Sequence, residues 1–102
     1  QVAWDKDCQL VGGDDVALQT RQCLKNLDAV LEAAGATRAD IVRIRTYVVD
    51  HTVEKLGQMG PEFAAFWGDI TPSPNTWLGV QALALPGFLV EIEATAVIKP
   101  GS

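Results

Sequence analysis

The chain is poor in the residues that metal and redox chemistry use. Its 102 residues include two cysteines and one histidine. Cys8 and Cys23 have no CxxC spacing and no histidine nearby in sequence, so neither a zinc site nor a cofactor is expected. Apolar runs are short, and none is long enough to span a bilayer as a helix, which excludes that kind of membrane partner. The opening QVAWDKD has neither a basic segment nor a long apolar one, so the expectation is a soluble, cytoplasmic protein. Basic residues are scarce too: eight Lys and Arg stand against thirteen Asp and Glu, a net charge of −5, and they are scattered. An acidic surface repels a phosphate backbone, so nucleic acid is not an expected partner. No repeat and no low-complexity segment interrupts the chain.

What is present is patterned apolar sequence. Hydrophobic residues make up 48% of the chain, enough for one small domain over residues 1–102 with a core of its own. The most informative stretch is 73–96, SPNTWLGVQALALPGFLVEIEATA. It reads as two strands joined at Leu85-Pro86-Gly87, where Pro presets φ and Gly supplies turn geometry. Thr76, Leu78 and Val80 alternate with Trp77 and Gly79. Beyond the turn Phe88, Val90, Ile92, Ala94 and Ala96 alternate with Leu89, Glu91, Glu93 and Thr95. Glu91 and Glu93 therefore share one face of an otherwise apolar strand, and a carboxylate there needs a partner, water or a task.

The remaining elements follow in order. Residues 1–4 and 9–11 read as two short strands about a turn at 5–8, where Cys8 takes a place usually given to Gly or Asn and is expected to be an exposed thiol without a catalytic role. Asp14 or Asp15 is placed to cap a helix over 16–34. Its stripe is Val16, Cys23, Leu24, Leu27, Val30, Leu31 and Ala34, with Gln19 off the stripe and Gly35 as the left-handed terminator. Cys23 reads as a small buried hydrophobe.

Residues 39–50 form a β-branched strand. Val42, Ile44, Thr46 and Val48 suit packing under helices. Ile41, Arg43, Arg45, Tyr47 and Val49 form a face that meets water or another subunit. Over 52–68, Gly57 and Gly60-Pro61 predict a short helical turn and a restart at Pro61, and His51 reads as a solvated loop residue rather than a base. The order ββαβαββ is an α+β fold, a mixed sheet with two helices on one face. The open face would be buried by self-association.

Two blocks carry a family resemblance: PNTWLGVQALALPGFLVEIEATAV, and QTRQCLKNLDAVLEAAGATRADIVRIRTYVVD over 19–50. Together with the start at Gln1 they resemble the Rid/YjgF family, also known as L-PSP endoribonuclease-like. The resemblance implies a chorismate mutase-like (YjgF-like) fold and a homotrimer whose sheets form a central barrel, with a cleft for a small-molecule ligand between neighbouring subunits. It also implies that the family's N-terminal strand, with a tyrosine that reaches the cleft, is missing ahead of Gln1. Catalytic members hydrolyse enamines and imines to 2-oxo acids and ammonia.

By position Glu91 matches the family glutamate that manages the protons of the attacking water. The family arginine does not carry over. Where catalytic subgroups read Pro-x-Arg-Ser or Pro-x-Arg-Thr, this chain reads Ser73-Pro74-Asn75-Thr76, and the lost charge-assisted contact to a carboxylate is worth about 1.5 to 3 kcal/mol. The ligand-orienting candidates are Asn75, Thr76, Trp77 and, as a substitute cation, Arg45. Each has a plainer reading: an interface carboxylate for Glu91, a turn residue for Asn75, packing for Trp77, a surface or interface arginine for Arg45. The expected function is imine or enamine hydrolysis of a small polar metabolite. The alternatives are a ligand-binding trimer without turnover and, behind both, an L-PSP-type endoribonuclease and translation inhibitor.

Overall fold

The computed structural model describes residues 1–98; the last four positions of the expected 1–102 domain lie outside the described residues. Helix α1 is Val16–Ala33, a 3-10 turn at Arg38–Asp40 leads into β1 at Ile41–Val49, α2 is Val53–Trp67, β2 is Asn75–Val80 and β3 is Val90–Ala96. The three strands form one mixed sheet in the order β2-β1-β3. β1 pairs parallel with β2, Arg45 beside Thr76, and antiparallel with β3, Tyr47 beside Glu91.

This order corrects the reading of residues 73–96 as a hairpin. The two arms are strands, but they never pair: β1 lies between them. A parallel β1–β2 pair needs a crossover, which α2 supplies, and the Leu85-Pro86-Gly87 turn then carries the chain past β1 to its other edge. Gly87 does adopt the left-handed region there, φ +92°.

The first two expected strands are present only as isolated antiparallel bridges, Val2 with Glu91 and Trp4 with Leu10. Ile92 N–H donates to the Gln1 carbonyl at 2.8 Å, so the first residues run along the outer edge of β3. The turn closed by the Trp4–Leu10 bridge holds Cys8 at φ 60° and exposed, as its sequence position implies. The Asp5 carboxylate caps it, accepting from Asp7 N–H and Gln9 N–H.

One face of the sheet is covered by both helices. Ile44, Thr46 and Val48 of β1 and Val90 and Ile92 of β3 are fully buried there beneath Cys23, Leu24 and Leu27 of α1 and Met59, Phe63 and Phe66 of α2. A β-bulge between Ile41 and Arg43 shifts the alternation by one, so Ile41 is buried and Val42 exposed, the reverse of the period-two expectation. Asp15 caps α1, accepting from Ala17 N–H and Leu18 N–H, and Gly35 at φ +76° ends it while Ala36 N–H closes onto the Leu31 carbonyl.

Two further expectations are corrected. Helix α2 is continuous through Pro61 rather than broken. The residue ahead of a proline resists helix because its Cβ meets the proline ring, and Gly60 has no Cβ. Gln19 is buried, not off the apolar stripe: its amide donates to the Gly13 and Gly87 carbonyls at 2.7 and 2.8 Å and accepts from Leu89 N–H at 2.9 Å. It substitutes for missing backbone partners in two glycine turns. Val30, on the predicted stripe, is half exposed.

Candidate functional site

The strand alternation that buries Ile44 and Thr46 turns Arg43, Arg45, Tyr47 and Val49 of β1 outward. By register they are joined by Thr76, Leu78 and Val80 of β2 and by Glu91, Glu93 and Thr95 of β3. No element of the described chain covers this face. Its centre is polar and internally paired: Tyr47 Oη donates to the Glu93 carboxylate at 3.0 Å, and Arg45 Nη1 reaches the same oxygen at 3.4 Å. Arg45 is therefore engaged with Glu93, directly across the strand pair.

Glu91 is different. It is half-buried and forms none of the ion pairs found among the described residues. It lines a cleft of about 380 Å³ between the edge of β3 and the first residues of the chain, walled by Gln1, Val2, Trp4, Leu85 and Phe88. Trp4 and Phe88 meet edge to face, ring centres 6.0 Å apart, and make the aromatic wall. Nothing in the sequence singles out Trp4 and Phe88 as a pair. The signal was weak: an isolated tryptophan near the start and the second phase of the β3 alternation, with nothing local to bring them together.

The other candidates divide between the faces. Thr76 is on the open face, exposed, beside Arg45. Asn75 and Trp77 belong to the opposite phase of β2 and lie toward the helices. The Asn75 side-chain oxygen accepts from the buried Thr46 hydroxyl at 3.0 Å. Trp77 packs on Phe63, with ring centres 5.3 Å apart, and its indole N–H donates to His51 Nδ1 at 3.3 Å. His51 is thus not the solvated loop residue that its position implies. An indole N–H under partial burial needs an acceptor, and this imidazole supplies it. A Cβ on Gly79, the next β2 residue on that face, would come within 3.2 Å of the His51 Cβ.

Within one chain the structure brings Arg45, Thr76 and Glu91 to one face and sets Asn75 and Trp77 on the other. Asn75 and Thr76 lie on β2 at one edge of the sheet, and Glu91 lies on β3 at the other, with β1 between them. Among the described residues no group of three or more His, Cys, Asp and Glu gathers as a metal would require, and no helix is long and apolar enough to cross a membrane. Cys23 is buried under β3 with its thiol 3.7 Å from the Val90 carbonyl, and burial pushes its pKa up to about 12. It is a packing residue, as expected.

Comparison with known proteins adds a family-wide context. Residues 1–98 match the family model described as Endoribonuclease L-PSP. A RutC family protein of Pyrococcus horikoshii is 35% identical over 92 residues, 89% of this chain and 68% of that protein. The 2-iminobutanoate/2-iminopropanoate deaminase of Escherichia coli is 34% identical over 84 residues, 81% of this chain and 64% of the enzyme, so the chain spans less than two thirds of that relative. Among solved structures, the Rid family protein YyfB of Yersinia pestis, of unknown function, superposes with a TM-score of 0.92 at 52% identity, covering 96% of this chain and 74% of that one.

Proposed function

The chain belongs to the Rid/YjgF family, the endoribonuclease L-PSP family by its model's description, and we propose that it is a small-metabolite cleft protein that hydrolyses an imine or enamine and releases ammonia. The observation that carries this reading is the Glu91 cleft: a half-buried carboxylate that forms no ion pair among the described residues, beside an aromatic wall. Such a carboxylate can take a proton from an attacking water and return it to the departing nitrogen. The deaminase name of the Escherichia coli relative supports the reaction class.

The working form in this proposal is a homotrimer. The open face carries Leu78, 42% exposed, among charged and aromatic side chains, a surface suited to burial against its own copies. Asn75 and Glu91 lie on opposite faces of one sheet, so a cleft that uses both must draw them from two subunits. The single domain is proposed to extend over the whole of 1–102, and the cytoplasm is the proposed compartment. RNA cleavage is the less supported reading, because the open face offsets Arg45 with Glu93 and the chain is acidic overall. Binding without turnover is the second reading, favoured by Asn75 in the position of the family arginine.

The test is ammonia release from freshly generated 2-iminopropanoate and from an imine of similar size without a carboxylate, with mass measured by light scattering. The expected result is a trimer whose ammonia release falls at least about a hundredfold in Glu91→Ala, the scale of general acid and base catalysis. A monomer, or release indifferent to Glu91→Ala, overturns the reading. A trimer that binds but never turns over establishes the second one.

A further inference from the structure

The single histidine of the chain accepts a hydrogen bond that exists only while its ring is neutral. An indole N–H can donate but never accept. The 3.3 Å contact from Trp77 Nε1 to His51 Nδ1 therefore needs a lone pair on Nδ1 and puts the imidazole proton on Nε2. A second proton goes to Nδ1. The acceptor then becomes a donor facing a donor, the bond is lost, and the two N–H groups repel.

The surroundings decide which part moves. The backbone about His51 is held on both sides. Asp50, at φ 49°, donates its N–H to the Val80 carbonyl at 3.1 Å, and the Lys55 ammonium donates to the Val49 and Asp50 carbonyls at 2.7 and 2.9 Å. At the start of α2 the Thr52 hydroxyl accepts from Lys55 N–H. The ring is less confined. His51 is half-buried, and its close approach to β2 is made by the Cβ, where Gly79 has no side chain. The imidazole and indole are tilted by 57° with centres 5.9 Å apart, so they do not stack and the N–H···N bond is the directional contact between them. The charged groups of the neighbouring elements are Asp50, next to the ring in sequence, and Glu54 and Lys55 in the first turn of α2; β2, over Asn75–Val80, carries none. None of these three hydrogen-bonds the imidazole among the described residues, and Trp77 is its side-chain partner there.

We propose that His51 and Trp77 form a proton-operated latch: the neutral imidazole fixes the Trp77 indole against Phe63, and protonation releases it. Asn75 shares Trp77's phase of β2, so release changes the surface beside Asn75. Imidazole is the side chain whose charge ordinarily changes between about pH 5 and 8, so mild acidification operates the latch. Its test reads Trp77 rather than ammonia release, and failure of the latch is thereby distinguishable from failure of the deaminase reading.

The full chain, in its own state of assembly, is titrated by NMR across that range. With one histidine and three tryptophans, the imidazole signals need no assignment and Trp77→Phe identifies the Trp77 indole N–H. At the alkaline end the ring nitrogens are expected to show the Nε2–H tautomer. As pH falls, the Trp77 indole proton is expected to shift upfield with the same midpoint as His51. His51→Asn, whose side-chain oxygen can stand in for Nδ1 and does not titrate, is expected to hold that proton at its alkaline position throughout. A predominant Nδ1–H tautomer at the alkaline end overturns the proposal with no variant needed. So does a Trp77 signal that does not follow the imidazole, or a shift that survives in His51→Asn. The first two readings use the unmodified chain and decide the matter even where the variant does not fold.

Discussion

The two faces of the sheet are made from the same three strands and obey opposite rules. On the helix-covered face no buried side-chain nitrogen or oxygen among the described residues lacks a partner: Thr46 pairs with Asn75, Trp77 with His51, Gln19 with three backbone groups. On the open face the pairs are exposed and weak, with Arg45 and Glu93 41% and 50% exposed at a 3.4 Å contact, and Glu91 forms no ion pair among the described residues. Burial makes an unmet hydrogen bond costly, so the covered face is fully matched. The open face is free of that demand and can hold groups in reserve for a second subunit or a ligand.

The contrast is broken most severely from the covered side. Ile92→Ala removes a fully buried side chain from the middle of β3 and is expected to cost about 2 to 5 kcal/mol, read by denaturant unfolding. A cost near that of a surface substitution would mean that the helices do not close on the sheet as described. Next in size is Gln19→Leu, which fills the space but leaves Leu89 N–H and two turn carbonyls without their partner. About 1 to 3 kcal/mol is expected, with faster amide exchange at Leu89 than elsewhere in the chain. The smallest effect belongs to the open face. Glu93→Gln removes an exposed pair and is expected to change monomer stability by less than about 1 kcal/mol, while weakening self-association measured by sedimentation. A large loss of fold stability there would erase the distinction between the faces.

Much of the fold is legible in the sequence because it is local. Asp15 followed by an apolar stripe and ended by Gly35 defines α1. Alternation defines β1, β2 and β3, and the run from Val90 to Ala96 announces Glu91 and Glu93 as face-mates. The errors share a cause. Gln19 reads as off the stripe because an amide scores as polar, although two glycine turns, one of them 68 residues away, need it inside. Pro61 reads as a break unless the missing Cβ of Gly60 is counted. Trp4 and Phe88 reach one wall only because the first residues lie along β3.

Residue type and period determined by themselves which segments are helix and strand, where the caps fall, and which residues of each strand travel together. The family resemblance, rather than period, marks Asn75 as standing where catalytic subgroups carry an arginine. Only the tertiary structure decided that β1 runs between β2 and β3, that Asn75 and Trp77 face the helices while Arg45, Thr76 and Glu91 face away, and that Glu91 has aromatic neighbours. Periodicity is written in contacts a few residues apart, whereas strand order and cleft walls come from packing between segments far apart in the chain, and no single segment encodes its partner.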